Sequence, residues 1–331
     1  EIRLEVNMEE FRELYRRVRH KPLVVTDIEI EGNARTRTRV ILQNVGGVRD
    51  AESLDQLRER LFHATEKLEQ LDAFKQLDVL VDNGPEDVPN SAAVKVKVEE
   101  DTLVTFHAGA HVEDAEPGVE MKLNLNNAMG NAEKVVLDAN FGSKNSSTYL
   151  LSALVPRVMG SDAVAEAKLS QAVRNVQQHS SFTETSRGLV ASMGLGGQEV
   201  SYECIWRELT DPTKVASKLV RQNFGHSLKS SLKYTFAVDE RDSTFCPTQG
   251  LFARGSFEVA GIGIDPRLTR FIRQELDMQY CVPLPAGLAL SLNAKAGALV
   301  PWSISGFDLS RPTHISDRFF LGGPGSMRGF A

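Results

Sequence analysis

Few residues in this chain are spaced for conventional chemistry. His107 and His111 lie four apart, a spacing that suits a metal on a helix. The residues around them alternate as a strand, so both share a face with Gly109 between them, roughly 13 Å apart. No metal pair is expected there; polar residues facing a watery interior are the better reading. Cys204, Cys246 and Cys281 are widely spaced and odd in number, which suggests neither a disulfide framework nor a zinc site. Gly194-Leu195-Gly196-Gly197 lacks the later glycine of a dinucleotide fingerprint and stands among strands rather than before a helix. The 44 acidic residues single out no catalytic pair. The expectation is a protein with no cofactor, no bound metal and no catalysed reaction.

The bulk numbers narrow the class. A formal charge of −6 argues against nucleic acid as a partner, because phosphate binding wants a basic face. No apolar run approaches the length of a transmembrane helix. A transmembrane barrel stays open, since lipid-facing and lumen-facing residues alternate and cancel in any hydropathy window. The start at Glu1 without a signal pattern, and the end just after a Gly-rich stretch, are expected of a piece of a longer protein.

Residues 1–22 carry Phe11, Leu14, Tyr15 and Val18 at helical spacing and predict a short amphipathic helix. Residues 23–101 predict an α+β domain. Val24, Thr26, Ile28 and Ile30 oppose Asp27, Glu29 and Glu31 as a half-buried strand. A short helix follows at about Thr36–Asn44. Ser53 caps a longer helix, Gln56 completes a capping box, and Leu54, Leu57, Leu61, Ala64, Leu68 and Leu71 form its apolar stripe. Leu77, Val79 and Val81, then Val94, Val96 and Val98, alternate as two further strands. A three-stranded sheet covered on one face by two helices satisfies all these stripes.

No helix is expected after Thr102. Residues 102–331 instead alternate in eleven segments, at about 103–113, 118–127, 132–142, 147–157, 163–174, 185–196, 199–210, 224–239, 249–261, 268–283 and 286–300. A soluble β-sandwich also alternates. Against it stand the length of the segments, suited to tilted strands crossing a bilayer, and polar faces carrying charges of both signs. Tyr149, Trp206 and Trp302 near segment ends suit interfacial girdles.

The last described signal is the segment from Asp317, DRFFLGGPGSMRGF. It resembles the lumen loop of the BamA-like outer-membrane barrel insertases, marked by Arg-Gly-Phe. HKPLVVTDIEIEGNARTR at 20–37, WREL at 206–209 and GHSLKSSL at 225–232 resemble the mitochondrial branch, the central barrel subunit of the sorting and assembly machinery (SAM, or TOB). The resemblance covers nearly the whole chain. It implies one polypeptide-transport-associated (POTRA) domain before a sixteen-stranded barrel, of which about eleven strands precede this loop.

In the loop, Gly322, Gly323 and Gly325 relax the backbone and Pro324 stiffens the turn. Arg328 would bring its planar five-donor fork to the inner wall, Gly329 permits close approach, and Phe330 packs in the lumen. The resemblance implies insertion and folding of β-barrel precursors into the mitochondrial outer membrane by strand templating at a lateral gate. The alternative is a bacterial or plastid insertase, or a polypeptide translocation pore, of the same superfamily. The candidate gate strand is Val104–Val112: Val104, Thr105, Phe106, His107, Ala108, Gly109, Ala110, His111 and Val112, with Gly109 as a point where pairing loosens. The implied partners are unfolded barrel precursors, metaxin-like SAM subunits, small intermembrane-space chaperones, the cristae-organising MICOS complex and the lipid bilayer. The POTRA domain is expected in the intermembrane space.

Overall fold

The computed structural model describes residues 19–85, 87–88, 90–113, 116–175, 182–210, 216–263, 265, 268–303, 306–307 and 312–319. The helix expected over 1–22 therefore lies almost wholly outside the described residues. The chain divides into two units, the first comprising Glu1–Thr105, Asn124–Lys134 and Met159–Ser161, the second the remainder.

The first unit runs β1 (Val24–Glu31), α1 (Thr38–Val45), α2 (Leu54–Glu69), β2 (Phe74–Asn83) and β3 (Ser91–Glu100). Its sheet has the order β1-β3-β2, with β3 parallel to β1 and antiparallel to β2. The central strand explains the choice: Val94 and Val96 of β3 are fully buried, and Ile41, Val45, Leu57 and Leu68 of the two helices close over them. Each such aliphatic side chain contributes about 1.5–3 kcal/mol on leaving water. The exposed Lys75–Glu99 pair contributes at most about 1 kcal/mol.

Two local expectations need correction. A register shift between Val25 and Asp27 puts Val25 in the core and leaves Val24 exposed, so Val24 does not share a face with Ile28 and Ile30. A bulge inserts one residue and reverses the alternation. At the start of α2, Ser53 Oγ accepts from the Gln56 N–H at 3.4 Å, but the Gln56 side chain accepts from the Glu52 N–H at 3.0 Å rather than from Ser53.

The first unit also takes in the turn within Asn124–Lys134. Asn127 donates to Thr36 Oγ1 at 2.7 Å, and Arg37 N–H donates to Gly130 O at 2.9 Å. Gly130 has φ +82°, and a Cβ there would stand 2.5 Å from Arg35 O, so only glycine fits. Nearby, the Glu100 carboxylate accepts from Arg35 and Thr36 N–H groups at 2.7–3.1 Å.

The second unit is built on a sheet of twelve strands in chain order, from β4 to β15. They are β4 (Val104–Glu113), β5 (Glu116–Asn126), β6 (Lys134–Gly142), β7 (Ser147–Val155), β8 (Val164–Asn175), β9 (Thr183–Leu195), β10 (Gln198–Thr210), β11 (Gly225–Asp239), β12 (Gly250–Ala260), β13 (Phe271–Leu284), β14 (Leu288–Ser303) and β15 (Gly306–Phe307). The eleven long strands fall where alternation puts them, and two-residue β15 adds a twelfth. A five-residue helix, α3 (Lys218–Gln222), interrupts the connection after β10, contrary to expectation. It is too short for a helical period to register.

Register sorts the side chains of the sheet onto two faces. Tyr202 pairs with Leu232, Tyr234 with Phe257, and Met278 with Ala294 on one face. Arg207 pairs with Ser227, Lys233 with Glu258, and Asp277 with Lys295 on the other. The apolar face is the open one: Leu232 is 47% exposed, Leu276 40% and Leu292 58%. On the charged face Arg207 and Lys229 are only 7% exposed and Glu258 4%. A water-soluble sheet has the opposite arrangement, and an exposed apolar surface of this extent marks a lipid or partner interface.

Candidate functional site

The charged face gains its function from what lies on it. Arg207 enters from β10 between Ile205 and Leu209, which share its side of the strand. A charge among apolar neighbours needs a partner once it is covered. Residues 312–319 supply both cover and partner. Arg207 donates to Asp317 Oδ1 at 2.8 Å, with the two side chains 9% and 2% exposed. Breaking such a buried pair from one side costs about 3–5 kcal/mol, because the remaining charge is stranded.

Further contacts hold the segment along five strands. Ser316 donates to Glu184 of β9 at 2.8 Å. His314 Nε2 lies 3.2 Å from Ser227 Oγ of β11, while its Nδ1 accepts from the Ser316 N–H at 3.3 Å. That bond leaves the neutral ring with its proton on Nε2, facing Ser227. Burial pushes the imidazole below its ordinary value, against a smaller opposing pull from Asp317. From β13, Arg273 reaches Asp317 O at 3.4 Å and stacks over the Phe319 ring at 4.7 Å. On β14 a Cβ at Gly297 would meet that ring at 2.6 Å, so the missing side chain makes the seat for Phe319. Ile315 completes a small core with Phe182, Leu209, Ala216 and Val220.

A second ionic cluster stiffens the wall beside this seat. Lys229 contacts Glu203 at 2.8 Å and also pairs with Glu258. Each charge is hydrogen-bonded or paired, which is the condition for keeping ions out of water. In the tautomer set by the Ser316 N–H, His314 presents a proton rather than a lone pair to Ser227, so this contact positions the loop and does not activate the hydroxyl. The arrangement can hold a loop in a defined place on a water-lined wall.

Three of the four stretches quoted for the family resemblance thus converge. WREL contributes Arg207, GHSLKSSL contributes Ser227 and Lys229, and the segment beginning at Asp317 contributes Asp317 and Phe319. The expected motif residues Gly322, Gly323, Gly325, Arg328, Gly329 and Phe330 lie outside the described residues. The Arg207–Asp317 pair was not foreseen, although Arg207 between two aliphatic neighbours was its signal.

The other candidate residues, Val104–Val112, form most of β4. Among the described residues β4 stands at one end of the sheet with β5 as its single strand neighbour. Thr105 accepts from Asn124 Nδ2 at 3.2 Å, Gly109 has open space where a Cβ would be, and the His111 ring packs against Gly118. Val104, Phe106 and Val112 are exposed at 50%, 63% and 75%. Among the described residues no group of His, Cys, Asp and Glu could hold a metal ion.

Comparison with known proteins agrees with this geometry. Residues 127–331 match the Omp85 superfamily domain. The sorting and assembly machinery component 50 homolog of Mus musculus is 34% identical over 319 residues, covering 94% of this chain and 66% of its own length. The Homo sapiens homolog is 33% identical with the same coverage. Homolog B of Xenopus laevis is 32% identical over 99% of this chain and 69% of its own. The chain therefore spans about two thirds of the length of these relatives, 66% of the mouse and human proteins. In fold, it is similar to BamA from Haemophilus ducreyi lacking POTRA domains 1–3, with a TM-score of 0.74 at 15% identity over 93% of this chain and 60% of that one.

Proposed function

The chain belongs to the Omp85 superfamily, and from that premise we propose that it serves as the barrel subunit of a mitochondrial sorting and assembly machinery. On this reading it inserts and folds β-barrel precursor proteins in the outer membrane, with its α+β unit in the intermembrane space. The observation that carries the proposal is the buried Arg207–Asp317 pair, which ties the family's loop segment to the charged wall.

The physical task is clear. Inside lipid, each unpaired backbone group costs several kcal/mol, so a client strand cannot enter alone. A strand edge that lends its hydrogen bonds removes that penalty by strand addition. We assign this role to β4, Val104–Val112, whose outer edge is unpaired among the described residues. On this reading the loop motif, with Arg328 as its charge, serves the same insertion step. Metaxin-like subunits, small chaperones and cristae-organising proteins are the partners that the family resemblance implies for this role.

Cysteines placed along Val104–Val112 of the complete protein test the assignment. A precursor with cysteines in its last strand should form disulfides in one regular register. Cross-links scattered without register, or absent, overturn it.

A further inference from the structure

The apolar face of the sheet is not uniformly apolar. Register places Tyr149, Gln171, Arg187, Trp206 and Leu228 in one transverse row across β7 to β11. The guanidinium of Arg187 lies over the Trp206 ring at 5.4 Å, and His226 stacks on Trp206 with centroids 5.1 Å apart and planes at 24°. The row sits near the strand ends joined by 176–182 and 211–224. Tyrosine, tryptophan and arginine at one level is the composition of a membrane–water interface.

Arg187 is the odd member. No carboxylate lies within ion-pair distance of it among the described residues. Glu208 on the same face is turned to His226 at 3.7 Å. Asp138 borders the same groove, but its carboxylate takes the Asn140 amide at 3.0 Å. Arg187 therefore presents a cation on the apolar face, oriented by an aromatic ring, without a neutralising charge.

What lies beside it is a groove of about 700 Å³, of the size of small-molecule sites. Leu151, Leu169 and Leu189 form the next row on the same face, two residues or about 7 Å further from the strand ends. Ala153, Ala167 and Ala191 pair in the row after that, about 13 Å from the arginine level. Small side chains there keep the face shallow between the leucines and the row of Val155, Ala165 and Met193.

We propose that this groove is a seat for one anionic phospholipid, its phosphate on Arg187 beside Trp206 and an acyl chain along the leucine and alanine rows. Charge complementarity selects the occupant. A zwitterionic lipid offers the same phosphate but brings a choline cation beside the guanidinium, whereas an anionic headgroup gives it a charge-assisted partner with no opposing charge. The proposal rests on the lipid-facing nature of this surface and not on the insertase reading.

The chain has two tryptophans, so Trp302→Phe leaves Trp206 as the sole reporter. The full chain in phosphatidylcholine nanodiscs is titrated with phosphatidylglycerol or phosphatidylcholine brominated on the acyl chains. Brominated phosphatidylglycerol should quench Trp206 at about a fivefold lower mole fraction, the preference that one basic contact near a membrane surface provides. Arg187→Gln should bring the two lipids level, and Arg187→Lys should keep part of the preference. Equal quenching in the Arg187 protein, or a preference that survives Arg187→Gln, overturns the proposal. Raising salt on the Arg187 protein reads the same contact without altering this residue. The preference must shrink towards unity, and one that is indifferent to salt is equally fatal.

Discussion

The two units of this protein solve burial in opposite ways. In the first, the fully buried side chains among the described residues are Ile41, Val45, Val48, Leu57, Leu68, Val94 and Val96, and the buried carboxylates, Glu100 and Glu133, stay out of that apolar cluster and accept from backbone N–H groups. In the second, Arg207, Lys229, Glu258 and Asp317 are among the most buried side chains, while Leu232, Leu276 and Leu292 stand open. The first is a core made for water around it. The second is a wall made for lipid on one side and water on the other, where ions can be covered only by one another. That is why a loop segment rich in polar contacts, 312–319, finds its place on the wall.

The contrast can be broken most severely from the first unit. Val96→Asp puts a lone carboxylate into the closed core and should cost at least about 4 kcal/mol. Hydrogen exchange should show β1–β3 losing protection while β7–β14 keep theirs; a change shared by both units would mean that their cores are not separate. The second unit should respond to the sign of the face. Leu232→Lys on the apolar face should cost about 2–4 kcal/mol in urea unfolding from lipid vesicles. Lys233→Leu next to it, on the charged face, should shift stability by less than that. Equal costs would contradict the assignment of faces.

A smaller effect probes the seat itself. Gly297→Val forces the Phe319 ring to move, at about 1–3 kcal/mol. Amide protection should fall in 315–319 and persist in β13 and β14. The smallest expected effect is a pH dependence confined to the first unit. Burial alone would raise the Glu100 carboxyl, but hydrogen bonds from Thr36 and Arg35 outweigh it and hold it below the ordinary 4.5. A depressed carboxyl stabilises the fold fully above its unfolded value and loses that contribution as pH falls through the folded one. Protection factors at Arg35 and Thr36 should therefore fall below about pH 4.5 in the native protein. Glu100→Gln should remove that pH step, and an unchanged step would assign it to another group.

Much of this contrast is legible in the sequence, and the reason is periodicity. Alternation over eleven long segments defines β4–β14, because a strand crossing between two different media must alternate. The valines of β3 and the leucine stripe of α2 define the first core in the same way. Three kinds of feature escape. The bulge after Val25 reverses a face by one residue and leaves no local mark. The helix α3 is shorter than the window in which a helical period shows. The ionic seat joins Arg207 to Asp317, 110 residues apart; no local pattern carries a contact of that range, although Arg207 between Ile205 and Leu209 signals that some partner must exist.

The central claim is that this pair fixes the loop segment to the wall and that insertion depends on it. Arg207→Asp and Asp317→Arg, singly and together in the complete protein, test it through assembly of a labelled β-barrel precursor into the membrane. Each single charge swap should lose most assembly, and the double swap should recover most of it by restoring the pair in reverse. A double variant no better than either single one, or single variants that assemble normally, would contradict the account.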